Sequence, residues 1–121
     1  MASAQTGPLR GAPTTSDLSA KTGYAVVVAA GVLAIAGAEV VIDGVLVDDP
    51  KNGQTGTYQV RDVVKGIAGA AITINANLMT DANGKFITAT TGKPIVGKAL
   101  EAAAADLNII RVELGYRGLS A

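Results

Sequence analysis

Apolar residues in this chain come in short runs rather than in a helical stripe. Val26, Val27 and Val28, then Val32, Leu33 and Ile35, form two runs parted by Ala-Ala-Gly, a pattern that predicts two buried strands turning at Gly31. Val40, Ile42, Val45 and Val47 continue the β-like text up to residues 48–53 (DDPKNG), where Asn52-Gly53 is a strong reversal signal. Residues 57–61 (TYQVR) alternate polar and apolar, as a half-buried strand does, and residues 72–75 (ITIN) do the same. Residues 81–84 (DANG) separate Leu78 and Met79 from Phe86 and Ile87, which predicts a hairpin with Asn83-Gly84 at its tip. Residues 110–114 (IRVEL) read as a last strand that closes near Tyr116. Only residues 100–107 have helical character. The pattern predicts a mainly β fold, a small β-sandwich or β-barrel of about seven short strands with at most one short helix.

Residues 1–20 stand apart. Pro8, Pro13 and a Thr-Thr-Ser cluster leave neither helical nor alternating order, so we expect an extended N-terminal arm over 1–20 and a β domain over 21–121. The arm lacks the apolar core of a secretory signal. Residues 22–38 carry no charge between Lys21 and Glu39, but they fall short of the roughly 20 residues a spanning helix needs. Their glycines and β-branched valines favour two buried strands over a membrane span.

Composition narrows the function. A chain of 121 residues buries roughly two-thirds of its unfolded surface and needs no metal or disulfide for stability. Its core is built of Ala, Val and Ile, with Phe86 the single phenylalanine and no Trp. Ten basic and ten acidic residues cancel, which removes the clustered positive charge of a nucleic-acid binder. Tyr24, Tyr58, Tyr116 and Phe86 are too few for a base-stacking platform. With no histidine and no cysteine, imidazole bases, Ser-His-Asp triads and thiolate metal sites are all excluded.

Four motifs invite chemistry and fail on inspection. Gly92, Gly97 and Lys98 match G-x-x-x-x-G-K, but Ala99 stands where a magnesium-binding Ser or Thr belongs. Pro94 removes an N–H, Ile95 and Val96 suit a strand, and too little chain follows for a parallel sheet. We read Gly92 and Gly97 as turns flanking a short strand over 94–96. Asp81-x-Asn83-Gly84 echoes a calcium loop without its further acids. Lys85, beside the hairpin tip, lacks the surroundings of a carrier lysine. Asp48 and Asp49 are adjacent in a turn, so they do not face one another across a cleft. No catalytic residue, cofactor site or metal site is expected.

The run from about 38 to 114 resembles the capsid decoration, or cement, proteins of tailed bacteriophages. The resemblance lies in ordered phrases: GVLVDDP at 44–50, a strand phrase VKGIAGAAI over 64–72, LMTDANGK at 78–85, TATTGKPIVGKALEAA at 88–103 and IIRVEL at 109–114. These are turns and strands, so the resemblance implies a fold and a role but no active site. It implies a head-stabilising virion protein on the outer surface of an assembled icosahedral capsid, made in the cytoplasm of the bacterial host. Its partners would be the major capsid protein and itself, as a homo-oligomer with a trimer favoured and a dimer possible, and neither nucleic acid nor membrane. Leu9, Arg10 and Leu18 are the candidate capsid contacts of the arm, because that segment offers few other large side chains. A virion-surface module for host attachment is the alternative, and a small P-loop nucleotide-binding protein a more distant one.

Overall fold

A computed structural model describes residues 9–115 and 118–119. Its ten strands, with no helix among the described residues, divide at the middle of the chain. The first half supplies β1 (Leu9–Pro13), β2 (Ala25–Ala29), β3 (Val32–Ile35), β4 (Gly44–Leu46) and β5 (Thr55–Gln59), which form one sheet in the order β1-β5-β4-β2-β3. The second half supplies β6 (Asp62–Ile67), β7 (Asn77–Thr80), β8 (Phe86–Thr88), β9 (Gly97–Ala99) and β10 (Ile109–Leu114), ordered β6-β10-β9-β7-β8. All strand pairs within the sheets are antiparallel.

The two halves repeat one topology. Each sheet curls until its first strand meets its third through a parallel bridge, Thr14 to Leu33 in one and Ala68 to Phe86 in the other. The hydrogen bonds between loops repeat as well. Gly53 N donates to Thr14 O and Thr14 N to Gln54 O; Leu107 N donates to Ala68 O and Ala68 N to Asn108 O. Leu18 N reaches Pro50 O just as Ile72 N reaches Ala103 O.

Alternation explains the valine runs. In β2, Val26 and Val28 face a cluster inside the first curled sheet with Leu33, Leu46 and Tyr58, while Ala25 and Val27 face the larger core shared with the second sheet. In β4, Leu46 and Val45 divide in the same way. Strands buried on both faces are therefore apolar throughout. Phe86 is fully buried in the larger core with Leu78, Ile110 and Val112.

The predicted reversals are present. Ala30 and Gly31 both have positive φ (51° and 78°) between β2 and β3, and Gly53 and Gly84 have φ of 85° and 78°. Other expectations change. There are ten strands rather than seven, because several are only three or four residues long and carry too little alternation to read. Residues 100–107 are not helical: Ile72 and Ala103 exchange both backbone hydrogen bonds, and Leu107 takes φ of 70°. So short a helix is marginal by itself, and the long-range pair wins. Residues 73–76 form a turn, with Asn75 at φ 70°, in place of the expected strand. Tyr116 lies outside the described residues.

Candidate functional site

Gly92 is a turn residue with φ of 81°, but Gly97 opens β9, and the strand falls at Gly97–Ala99 rather than at 94–96. A Cβ on Gly97 would stand 2.9 Å from Glu113 O, so the glycine lets β10 pass close. Gly44 opens β4 in the equivalent position, crowded by Gln59 O. The N–H groups that would have to cradle phosphate are spent in the sheet: Val96 N on Leu78 O, Ala99 N on Ala76 O and Leu100 N on Arg111 O, each at 2.9 Å. Phosphate binding needs such groups free at a helix N-terminus.

Lys85 is held rather than displayed. Its Nζ lies 2.8 Å from Asp106 Oδ1 and its side chain is only 13% exposed. The hydrogen bond to Asp106 holds its pKa above the ordinary lysine value, against the opposing effect of desolvation. Lys85 lines a concavity of about 440 Å³ with Lys21, Tyr24 and Asn83. Lys21 Nζ sits over the Tyr24 ring at 4.8 Å, so both cations there are engaged. Asp81 accepts hydrogen bonds from Asn83 N and Lys85 N, which closes the hairpin turn. Asp48 accepts one from Thr57 N, while Asp49 is exposed. Each carboxylate of a candidate motif is therefore occupied by a turn or stands in water.

The three arm residues fall in two places. Leu9 and Arg10 are exposed on β1, Leu9 by 53%. Leu18 is 4% exposed and packs in the cluster inside the first sheet with Leu33, Leu46 and Tyr58. Thr14, between them, is also buried and donates its hydroxyl to Lys51 O or Gln54 O, both 3.0 Å away.

Strand β1 is an edge strand of the first sheet. It pairs with β5 in register, Arg10 with Tyr58 and Ala12 with Gly56. Thr14 N donates to Gln54 O, so residues 10, 12 and 14 direct their N–H and C=O toward β5. Antiparallel alternation then turns those of Leu9, Gly11 and Pro13 away. Pro13 has no N–H to leave unpaired, as is usual at a sheet edge. On the equivalent strand β6, Val63 O, matching Leu9, accepts from Gln59 Nε2, and Ile67 N, matching Pro13, donates to Gly23 O. Over Leu9–Ala12, β5 is the only strand paired with β1 among the described residues. Leu9 and Arg10 stand out in the sequence by size, which does not reveal this edge. Pro13 within a strand was the available signal.

Comparison with known proteins agrees with the fold and with the sparse chemistry. No curated protein matches the sequence. Among solved structures, the chain is similar to the crystal structure of the head fibre gp8.5 N base of bacteriophage phi29, with a TM-score of 0.76 and 18% identity over 94% of this chain and 98% of that one. The model of the phage cement protein family matches residues 11–114. The chain therefore belongs to the phage cement protein family, whose members are structural and not enzymatic.

Proposed function

We propose that this protein binds the outer surface of an assembled icosahedral phage head and stabilises it, with the N-terminal segment 1–20 as the part that reaches neighbouring capsid subunits. The observation that carries the reading is the open edge of β1. The outward N–H and C=O groups of Leu9 and Gly11, flanked by exposed Leu9 and Arg10, suit an extended segment of the major capsid protein added as a further strand. Main-chain hydrogen bonds would supply affinity, and the two side chains register. A homo-oligomer, with a trimer favoured, presents several such edges at once, and linked weak contacts gain greatly in avidity. The protein is made in the bacterial cytoplasm and acts on the virion exterior.

The test is co-sedimentation with expanded, undecorated heads. Wild-type protein binds and raises their resistance to heat. Leu9→Glu with Arg10→Glu keeps the circular dichroism of the free domain but binds at least about tenfold more weakly, a loss of roughly 1.4 kcal/mol. Unchanged head affinity in that folded variant would sink the β1 reading.

A second reading, a virion-surface module for host attachment, draws on the likeness to a domain named as the base of a head fibre. Binding of the free protein to host cells but not to heads would favour it.

A further inference from the structure

Two asparagines precede a glycine, at Asn52-Gly53 and Asn83-Gly84, whereas Asn75, Asn77 and Asn108 precede Ala, Leu and Ile. An asparagine before glycine is prone to spontaneous ring closure, because no side chain on the next residue shields its backbone nitrogen. The glycine nitrogen loses its proton to hydroxide and adds to the asparagine Cγ, and ammonia leaves. Water then opens the resulting succinimide at either carbonyl, leaving aspartate or isoaspartate. As dipeptides the two sites are identical, and both asparagines are exposed. Their surroundings are not alike.

Ring closure requires the peptide plane between the two residues to rotate until its nitrogen meets Cγ. At Asn83-Gly84 that plane is firmly held. Asn83 N and Lys85 N both donate to Asp81 Oδ1, at 2.8 and 3.0 Å. Gly84 N donates to Asp81 O, and Gly84 O accepts from Ala25 N at 2.7 Å. Gly84 is buried, and a Cβ on it would stand 2.5 Å from Ile35 Cγ2. Several bonds must open together before this nitrogen can move, and the population of such an open state is small.

Asn52-Gly53 is the tip of a turn that Gln54 N closes on Lys51 O at 2.9 Å, with positive φ (85°) at Gly53 alone of its two central residues, the type II arrangement. Flipping the central peptide converts such a turn to type I and leaves its flanks in place. Here the flip breaks one hydrogen bond, from Gly53 N to Thr14 O at 3.1 Å. Gly53 is exposed, and no atom lies within 4 Å of a Cβ built on it. We infer that Asn52 is a spontaneous modification site of the folded protein, while the fold protects Asn83. The modification has a structural consequence, because this turn clasps the end of β1. Thr14 N donates to Gln54 O, its hydroxyl lies 3.0 Å from Lys51 O and Gln54 O, and Leu18 N donates to Pro50 O. Isoaspartate routes the main chain through Cγ and lengthens the turn by one backbone atom, so Gly53 N and Gln54 O no longer reach Thr14 in register. Conversion of Asn52 therefore loosens the anchored end of the edge strand. None of this rests on capsid binding.

The experiment incubates the full chain in mildly alkaline buffer, folded and in urea, and follows both sites by tandem mass spectrometry of tryptic peptides. In urea the two asparagines convert at similar rates. In the folded chain Asn52 converts at least about tenfold faster than Asn83. The unmodified chain has no net charge, so converted protein, one charge more negative, separates by anion exchange, and isoaspartyl methyltransferase identifies the isoaspartyl fraction. In that fraction the Thr14 amide exchanges hydrogen at least about tenfold faster than in unconverted protein. Asn52→Gln, incubated alike, keeps the Thr14 exchange rate it had at the start. Equal conversion of the two sites in the folded chain would overturn the inference. So would an Asn52 that stays intact while the unfolded chain converts, or unchanged Thr14 exchange in the isoaspartyl fraction.

Discussion

Phe86 fills the space that Gly66 leaves: a Cβ on Gly66 would stand 2.9 Å from Phe86 Cε2 and 3.0 Å from Val112 Cγ2. Phe86 and Val112 are both fully buried, so neither can swing away. Gly66→Ala should cost about 1–3 kcal/mol through overpacking, read as a lower urea midpoint with an unchanged slope. A stability equal to wild type would show that the core yields more easily than its contacts imply.

Leu18 and Leu9 lie in the same stretch of sequence and should behave oppositely. Leu18→Ala removes a buried plug and should lower the stability of the free domain by about 2–5 kcal/mol. Leu9→Ala, at an exposed position, should change it by less than about 0.5 kcal/mol. Thermal unfolding of the two variants without any capsid decides the point.

The ion pair of Lys85 with Asp106 has a defined pH signature. The folded-state pKa of Lys85 is raised, chiefly by the hydrogen bond to Asp106. Its contribution is therefore complete below the unfolded lysine value of about 10.4 and is lost as pH rises through the folded value. Lys85→Met should lower the melting temperature at neutral pH, and the gap to wild type should close only in strong alkali. A gap that instead closes between neutrality and mild alkalinity would contradict the assignment.

Nucleotide should not bind. With Val96, Ala99 and Leu100 N–H groups committed to neighbouring strands, titration with magnesium and ATP should give no saturable signal, in wild type and in Lys98→Ala alike. Micromolar affinity abolished by Lys98→Ala would overturn this reading of residues 92–98.

Local chemistry was legible in the residues alone. Gly84 and Gly31 mark their hairpins because glycine takes positive φ at no steric cost, whereas the positive φ of Ala30 is not a preference of alanine and comes from the turn it shares with Gly31. Alternation around Val112 marks β10, as the valine runs mark β2. The absence of histidine and cysteine removed whole classes of chemistry without any coordinates.

Other features depend on partners far along the chain. Residues 100–107 have helix-forming composition, yet Ala103 pairs with Ile72. Gly97 resembles a phosphate-loop glycine until β10 is seen lying against it. Leu18 resembles a surface anchor until the first sheet curls around it. The repetition of one topology in both halves is carried by hydrogen bonds between loops, which different side chains can support equally well.

Sequence by itself determined where this chain turns, which residues can be buried and which reactions it cannot perform, because those follow from backbone preference, hydropathy and side-chain chemistry within a few neighbouring positions. Only the tertiary structure decided which strand lies at an edge, which glycine yields to a passing strand and which leucine is a plug. Those outcomes depend on strand pairing and packing between distant residues, where long-range contacts outweigh local preference.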